Sequence, residues 1–252
     1  MRELVALYPN EIEPSDGDLL GLLGAPQTVG VLDRWKSMIW EARREFSRLV
    51  DPRAIWRTVS AETARRVFEG EGDNADVAPL QEMIPEASQL RLFVVTVGNK
   101  VMEAARRLTE RGEYPAAVVL DGLAGLAVDR AVRALEARMA SEMQSVGLDS
   151  SVLAYSPGYC GWHLSGQRAL FDALSPEDVG VELLPSLIMK PLKSASGILV
   201  GGPAAMHEFE AGFDFCSECD TLECRQRLDR IRRSAGRNGG QDGEIRVHRT
   251  DP

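Results

Sequence analysis

The sequence predicts an α+β fold (mixed α/β), in which an N-terminal helical segment is followed by a twisted sheet with packed helices. Three observations favour this class. Apolar residues recur at helical spacing over residues 32–49. Residues 90–98 read LRLFVVTVG, a run of β-branched and aromatic residues that ends in glycine, as strands often do. Helical and strand-like stretches then alternate irregularly, which is typical of α+β proteins.

Four segments follow one another along the chain. We expect residues 1–84 to form the N-terminal helical segment, with a Gly/Asp/Asn loop over residues 69–76 near its end. Residues 85–215 make up the α+β domain. A cysteine-rich segment, residues 216–235, comes next. Residues 236–252 are predicted to be a disordered tail because they offer almost no apolar surface to bury.

Strands and one long helix are predicted inside the α+β domain. We expect four strands, near residues 90–98, 115–120, 180–184 and 194–201. A helix over residues 121–145 should pack across the sheet. Its buried face is expected to consist of Leu126, Val132, Leu135 and Met139.

Composition and charge exclude several classes of function. A formal net charge of −9 over 252 residues argues against a nucleic-acid-binding footprint. The chain contains no apolar run of the roughly 20 residues that cross a bilayer, and its N-terminus lacks a signal-peptide core. We therefore expect a cytoplasmic protein that binds neither nucleic acid nor membrane. In the cytoplasm, the four cysteines of the chain are expected to be thiols or metal ligands rather than structural disulfides.

One loop gathers the most distinctive side chains, and we call residues 156–162 the glycine loop. It consists of Ser156, Pro157, Gly158, Tyr159, Cys160, Gly161 and Trp162. Glycines let a backbone approach a ligand closely, and the two aromatic rings offer flat faces to it. The sequence therefore predicts a ligand-binding loop. The alternative is a plain turn with core aromatics, followed by a structural histidine at His163.

A family resemblance is carried by four stretches that occur in the right order. They read LFVVTVGNKV, AVVLDGLAGLAVDRAVRALEARM, YSPGYCGWHLSGQ and SLIMKPLKSASGILVGG. Together they resemble the reactivation domain of cobalamin-dependent methionine synthase and, more closely, its stand-alone relatives in anaerobic microbes. The resemblance covers about residues 85–203, roughly half of the chain.

This resemblance implies a methyltransferase component. The family's domain binds S-adenosylmethionine and covers a corrinoid, cobalamin, that a separate domain carries. Oxidised cob(II)alamin takes up one electron, and the resulting cob(I)alamin is methylated by S-adenosylmethionine. Because cobalt is the nucleophile, the domain orients the donor and no catalytic side chain is expected.

The partners that the resemblance implies act in trans. The chain lacks the D-x-H-x-x-G pattern through which corrinoid-binding domains supply a histidine to cobalt. We therefore expect the corrinoid to arrive on a partner corrinoid-binding protein or methyltransferase. The electron needed for reactivation comes either from a further partner or from a metal centre of this chain.

The family's binding residues map onto two parts of this chain. The donor-binding loop corresponds to Ser156-Pro157-Gly158-Tyr159, with Gly161 and Trp162 beside it. Asp129, on the long helix, stands where the family usually has a glutamate that holds the ligand's amino group. The alternative role of Asp129 is a surface ion pair with Arg133, one helical turn further on.

Two positions depart from the family pattern. Ala154 stands where the methionine synthases carry an arginine suited to clamp a carboxylate, and Leu199 where they carry a tyrosine. Nearby, Lys190 and Lys193 either face an anionic corrinoid tail or lie on a solvated face.

The cysteines suggest a metal centre. Cys216, Cys219 and Cys224 form a C-x2-C-x4-C pattern, and Cys160 in the glycine loop is the fourth cysteine of the chain. Thiolates at this spacing can face one metal ion. If the C-terminal segment returns to the glycine loop, four thiolates would suit a [4Fe–4S] cluster, or alternatively structural zinc. The alternative is a set of reduced thiols without metal.

Two functions therefore remain open. In the first, the protein binds S-adenosylmethionine and supports reductive methylation, and hence reactivation, of a corrinoid on a partner. In the second, it is a non-catalytic docking or electron-transfer module with a Cys-ligated metal centre and makes no use of S-adenosylmethionine. The SPGY loop and Asp129 favour the first, and Ala154 and Leu199 favour the second.

Overall fold

The computed structural model of the protein describes residues 2–24, 29–76 and 78–207, and for residues 29–35 it describes the backbone only. Two 3-10 helices, Pro176–Val179 and Ala204–His207, occur in this part of the chain. The helices are α1 (Pro9–Ile12), α2 (Asp16–Leu22), α3 (Val29–Leu49), α4 (Ala61–Glu69), α5 (Pro79–Glu86), α6 (Lys100–Glu110), α7 (Tyr114–Ser145) and α8 (Gly166–Leu174). The strands are β1 (Arg2–Val5), β2 (Arg53–Val59), β3 (Gln89–Thr96), β4 (Ser151–Tyr155), β5 (Glu182–Leu183), β6 (Met189–Lys190) and β7 (Ser194–Gly202).

A five-stranded antiparallel sheet forms the centre of the molecule, in the order β1-β2-β3-β7-β4. The middle strand, β3, is buried over seven of its eight residues, which explains its nearly continuous apolar run. β5 and β6 pair separately as a short two-stranded ribbon. An antiparallel sheet with packed helices confirms the predicted α+β class.

Each face of the sheet is covered by a layer of its own. The first, which we call the α7 layer, contains α1, α2, α3, α6 and α7, and its buried residues include Phe46, Leu135 and Leu199. The second, which we call the α8 layer, contains α4, α5, α8 and the ribbon, and its buried residues include Phe68, Trp162 and Leu170. Successive strand residues point to opposite faces, so Phe93 belongs to the first core and Leu92 to the second.

The long helix is longer than the sequence predicts. The stretch 121–145 is helical as expected, and Val132, Leu135 and Met139 on its predicted face are buried, while Leu126 is partly buried against the same core. The strand predicted over residues 115–120 is wrong, because α7 already begins at Tyr114. Pro115 lies in its first turn, a position that proline favours, and a short apolar run alone does not distinguish strand from helix.

Other strand predictions have mixed outcomes. The strands near 90–98 and 194–201 are confirmed as β3 and β7. The strand near 180–184 is reduced to β5, outside the main sheet. The N-terminal segment contains strands as well as the predicted helices, because β1 and β2 join the same sheet as β3. β2 begins with Arg53 and has a second arginine, Arg57, in its interior, which weakened its strand signal.

Candidate functional site

The glycine loop connects β4, on the edge of the sheet, to α8. Three of its residues have left-handed backbones, with φ of 93° at Gly158, 52° at Cys160 and 74° at Gly161. Glycine adopts this region freely, whereas a cysteine does so at a cost in energy. A non-glycine residue held in this region indicates that its surroundings fix the loop, and such positions cluster at ligand-binding sites.

Internal hydrogen bonds fold the loop back on itself. The Gly158 N–H donates to the Trp162 carbonyl at 2.7 Å, and the Trp162 N–H donates to the Tyr159 carbonyl at 3.0 Å. The Tyr159 N–H donates to the Ser156 carbonyl at 3.2 Å. The loop is therefore a compact turn with a defined shape.

The aromatic residues of the loop point in different directions. Trp162 is buried in the α8 layer, 6.0 Å from Phe68 between ring centroids. A Cβ atom on Gly166 would lie 2.2 Å from the Trp162 Nε1, so this glycine leaves the space that the indole occupies. Tyr159, by contrast, is 55% exposed. Of the two predicted ligand-facing aromatics, Tyr159 is at the surface and Trp162 anchors the loop from below.

The other residues of the glycine loop differ in their solvent exposure. Pro157 is buried, Ser156, Cys160 and Gly161 are half-buried, and Gly158 is exposed. Gly158 and Tyr159 are thus the exposed residues of the loop. Leu164 lies beside Gly158, 3.6 Å from where a Gly158 Cβ would stand.

A second loop, residues 70–76, holds the glycine loop from outside, and we call it the bracing loop. The Ala75 N–H donates to the Gly161 carbonyl at 3.0 Å. The Asn74 Oδ1 accepts from the His163 N–H at 2.8 Å. His163 itself lies beside Ser165, with its Nδ1 2.9 Å from the Ser165 Oγ and 3.7 Å from an Asp73 carboxylate oxygen.

α7 carries two acidic residues near β4, Glu136 and Asp129, which we call the acidic wall. A Glu136 carboxylate oxygen accepts from the Ala154 N–H at 2.8 Å, on the open edge of β4. Asp129, which is half-buried, lies seven residues earlier, and therefore on the same face of α7 about 10 Å away along the axis.

The direction of α7 places Asp129 toward the glycine loop. Met143 lies against Gly201, which pairs with Val152 at the start of β4, whereas Glu136 contacts Ala154 near its end. α7 thus runs back along the sheet as β4 advances. Two turns further back, Asp129 lies toward the end at which β4 continues into the glycine loop.

The two departures from the family pattern are core positions. Ala154 and Leu199 are paired neighbours on β4 and β7, and both are buried in the α7 layer. Apolar contacts therefore surround the two positions at which the resemblance implied an arginine and a tyrosine.

The lysines and cysteines predicted for the site lie in different environments. Lys193 is paired with Asp121 on α7 at 3.0 Å, while Lys190 is exposed. Cys160 packs against the core of the α8 layer. Within the described ranges, no group of three or more metal-ligating side chains is found. Cys216, Cys219 and Cys224 lie outside the described residues, so the metal site stays a prediction.

A buried histidine lies below the site. His207 is fully buried, with its Nδ1 2.9 Å from the Tyr155 hydroxyl and its Nε2 3.3 Å from the Ser151 carbonyl. Since a carbonyl only accepts, the Nε2 carries the proton and the Nδ1 accepts from Tyr155. Burial holds the pKa of His207 below its usual value of 6.5, partly opposed by the Ser151 hydrogen bond.

Comparisons with known proteins define the fold class further. The fold is similar to that of the MetH reactivation domain, whose crystal structure was determined with AdoHcy bound. The TM-score is 0.57 at 13% sequence identity, covering 96% of this chain and 91% of that domain. No family model and no curated protein sequence matches. The resemblance predicted from the sequence is therefore confirmed at the level of the fold.

Among the residues that the structure describes, no helix is both long enough and apolar enough to span a bilayer.

Two residues of the site escaped the sequence analysis. Glu136 could have been found, because it lies on the same helical face as Asp129. Asn74 could not, because it is 89 residues from His163 in sequence and stands in what reads as a plain linker.

Proposed function

We propose that the protein binds S-adenosylmethionine between the glycine loop and α7. In this proposal it supports reductive methylation of a corrinoid carried by a partner protein. The observation that carries the proposal is the MetH-like fold together with the SPGY loop at the end of the edge strand. The exposed Gly158 backbone would approach the ligand, and Tyr159 would pack on it.

The acidic wall suits this ligand. S-adenosylmethionine carries a positive sulfonium and a positive ammonium group. Asp129 would hold the ammonium, with Glu136 two turns away adding negative potential at the end of β4. The ligand's carboxylate would find no arginine at position 154, and the N–H groups of Gly158, Tyr159 and Trp162 already donate within the loop, so its partner is none of these groups.

The proposed reaction moves one methyl group. A donor outside this chain first supplies one electron to reduce cob(II)alamin to cob(I)alamin. The cobalt electron pair then forms a bond to the methyl carbon as its bond to sulfur breaks. The products are methylcobalamin and S-adenosylhomocysteine. The protein's contribution is to hold the methyl donor in line with the cobalt, which is an effect of proximity and orientation.

Calorimetry with S-adenosylmethionine tests the binding step. We expect saturable binding by the wild type and about tenfold weaker binding by Asp129→Asn, which keeps the shape but removes the charge. Glu110→Gln on α6 is the matched control, since it makes the same carboxylate-to-amide change at an exposed pair with Arg106. Absence of heat and of a thermal shift at millimolar ligand would reject the proposal.

The second candidate function is an electron-transfer or docking module that does not use S-adenosylmethionine. The burial of Ala154 and Leu199 in the sheet favours it, because two ligand contacts of the family are replaced by core packing. Anaerobic purification with metal analysis tests this alternative. About four irons per chain, lost in Cys160→Ser and Cys219→Ser, would support a [4Fe–4S] cluster, and bound zinc the structural site. Protein without metal that binds S-adenosylmethionine would leave only the first function.

A further inference from the structure

The bracing loop makes its contacts with the glycine loop from a distant part of the chain. It follows α4, whereas the glycine loop precedes α8. The two helices approach closely at their ends, where a Cβ on Gly70 would lie 3.3 Å from the Gly166 Cα. This close approach brings residues 70–76 alongside residues 161–165.

Asn74 is the central residue of this contact. Its side-chain Nδ2 donates to the Phe68 carbonyl at the end of α4, at 2.6 Å. Its Oδ1 accepts from the His163 N–H at the exit of the glycine loop, at 2.8 Å. One amide group therefore ties the end of α4 to the end of the glycine loop. Only a side chain with both a donor and an acceptor can do so, which is why aspartate or leucine would not be equivalent.

The contact acts where the glycine loop is most strained. Cys160 and Gly161 both have positive φ, and the Gly161 carbonyl accepts from the Ala75 N–H directly beside Asn74. Left-handed backbone at a non-glycine residue persists only when the surroundings hold it there. Asn74 and Ala75 hold the loop from outside, while the buried Trp162 holds it from below.

We propose that Asn74 is a positioning residue for ligand binding: it keeps the glycine loop in its binding conformation before the ligand arrives. A loop that is already ordered loses less conformational freedom on binding, so its affinity for the ligand is higher. The inference rests on the proposed function, because it takes S-adenosylmethionine as the ligand of the glycine loop.

Three variants test the proposal. Asn74→Leu removes both hydrogen bonds, and Asn74→Asp keeps the acceptor for His163 but loses the donor to Phe68. Glu71→Gln is the control, because it weakens only the exposed pair between the bracing loop and Arg168 on α8 and leaves both Asn74 hydrogen bonds in place. The measurements are S-adenosylmethionine affinity by calorimetry, thermal unfolding, and amide hydrogen exchange of residues 158–163 in the folded protein.

We expect graded loss of affinity. Asn74→Leu should bind about tenfold more weakly, Asn74→Asp should lie between it and the wild type, and Glu71→Gln should match the wild type. Amide protection at Gly158 and Trp162 should fall in the same order. If Asn74→Leu does not fold, Asn74→Asp decides alone.

The outcomes separate this inference from the proposed function. Wild-type affinity in Asn74→Leu or Asn74→Asp would overturn the positioning role. If wild-type protein binds no S-adenosylmethionine, the proposed function fails and the positioning role for that ligand fails with it. Amide hydrogen exchange of residues 158–163 would then still show whether Asn74 orders the loop.

Discussion

The two layers that cover the sheet differ in how they are built. The α7 layer is organised around one helix of 32 residues, and arginines join it to other elements: Arg130 to Asp18, and Arg138 to Glu11. In the α8 layer the helices have eight or nine residues, and loops make up much of the rest.

Backbone strain is distributed unequally between these layers. Among the described residues, three non-glycine residues have positive φ: Cys160, Ser175 and Leu187. All three follow β4, in the loops that surround α8 and the β5–β6 ribbon. The α7 layer thus consists mainly of regular structure and supplies Asp129 and Glu136, whereas the α8 layer contains the strained backbone of the glycine loop.

The largest test of this comparison replaces one buried aromatic residue in each layer. Trp162→Ala in the α8 layer and Phe46→Ala in the α7 layer should each lower the free energy of unfolding by about 3–5 kcal/mol, because each leaves a cavity in a packed core. Denaturant unfolding measures both.

The two variants should differ in ligand binding. We expect S-adenosylmethionine affinity of the folded protein to fall in Trp162→Ala, which loses the support under the glycine loop, and to persist in Phe46→Ala. Equal affinity in both variants would show that ligand binding does not depend on the support that Trp162 gives the glycine loop.

The next largest effect is a pH dependence of stability that comes from His207. The hydrogen bonds of this residue join β4 to the end of the described chain. The native state favours the neutral imidazole, so the unfolded chain binds more protons below its pKa of about 6.5. Stability should therefore be complete above that pH and should fall below it, by at most about 1.4 kcal/mol per pH unit. Unfolding free energies between pH 8 and 5 measure this slope.

A matched variant identifies the titrating group. His207→Gln should be less stable than the wild type at pH 8, because it disturbs the hydrogen bonds to Tyr155 and Ser151. Its slope between pH 6.5 and 5 should be smaller. An unchanged slope would assign the pH dependence to other groups.

A smaller acid effect is expected in the α7 layer. The Arg130 and Ser15 hydrogen bonds lower the pKa of Asp18 from 3.8 to about 2. The stability that this carboxylate contributes is present above pH 4 and is lost as the pH falls toward 2. Because Asp18 is more than one-third exposed, solvent screening should reduce the effect to about 1 kcal/mol. Acid titration of Asp18→Asn should lack this component, and an identical acid profile would contradict the assignment.

The smallest effect is expected at the surface pair Glu71–Arg168. Both side chains are 47% exposed, so Glu71→Gln should change the unfolding free energy by less than about 0.5 kcal/mol. Thermal unfolding at low and high salt checks this. A larger change would mean that this ion pair contributes appreciably to the attachment of the bracing loop to α8.

Local patterns predicted the elements whose burial is regular. β3 contains a nearly continuous apolar run, and α7 repeats its apolar residues over many turns, so both could be assigned from sequence alone. The same reasoning failed at residues 115–120, where the run is too short to distinguish helix from strand. It also missed β2, whose arginines at positions 53 and 57 obscure its pattern.

The sequence by itself determined the α+β class, the long helix and the glycine loop, because residue type controls backbone conformation locally. Only the tertiary structure decided what surrounds that loop. It brought Asn74 to His163, and Glu136 to Ala154. It also placed the Trp162 side chain in the core and the Tyr159 side chain at the surface. Such contacts depend on how layers stack on a sheet, and the packing energy that fixes them comes from residues far apart in the chain.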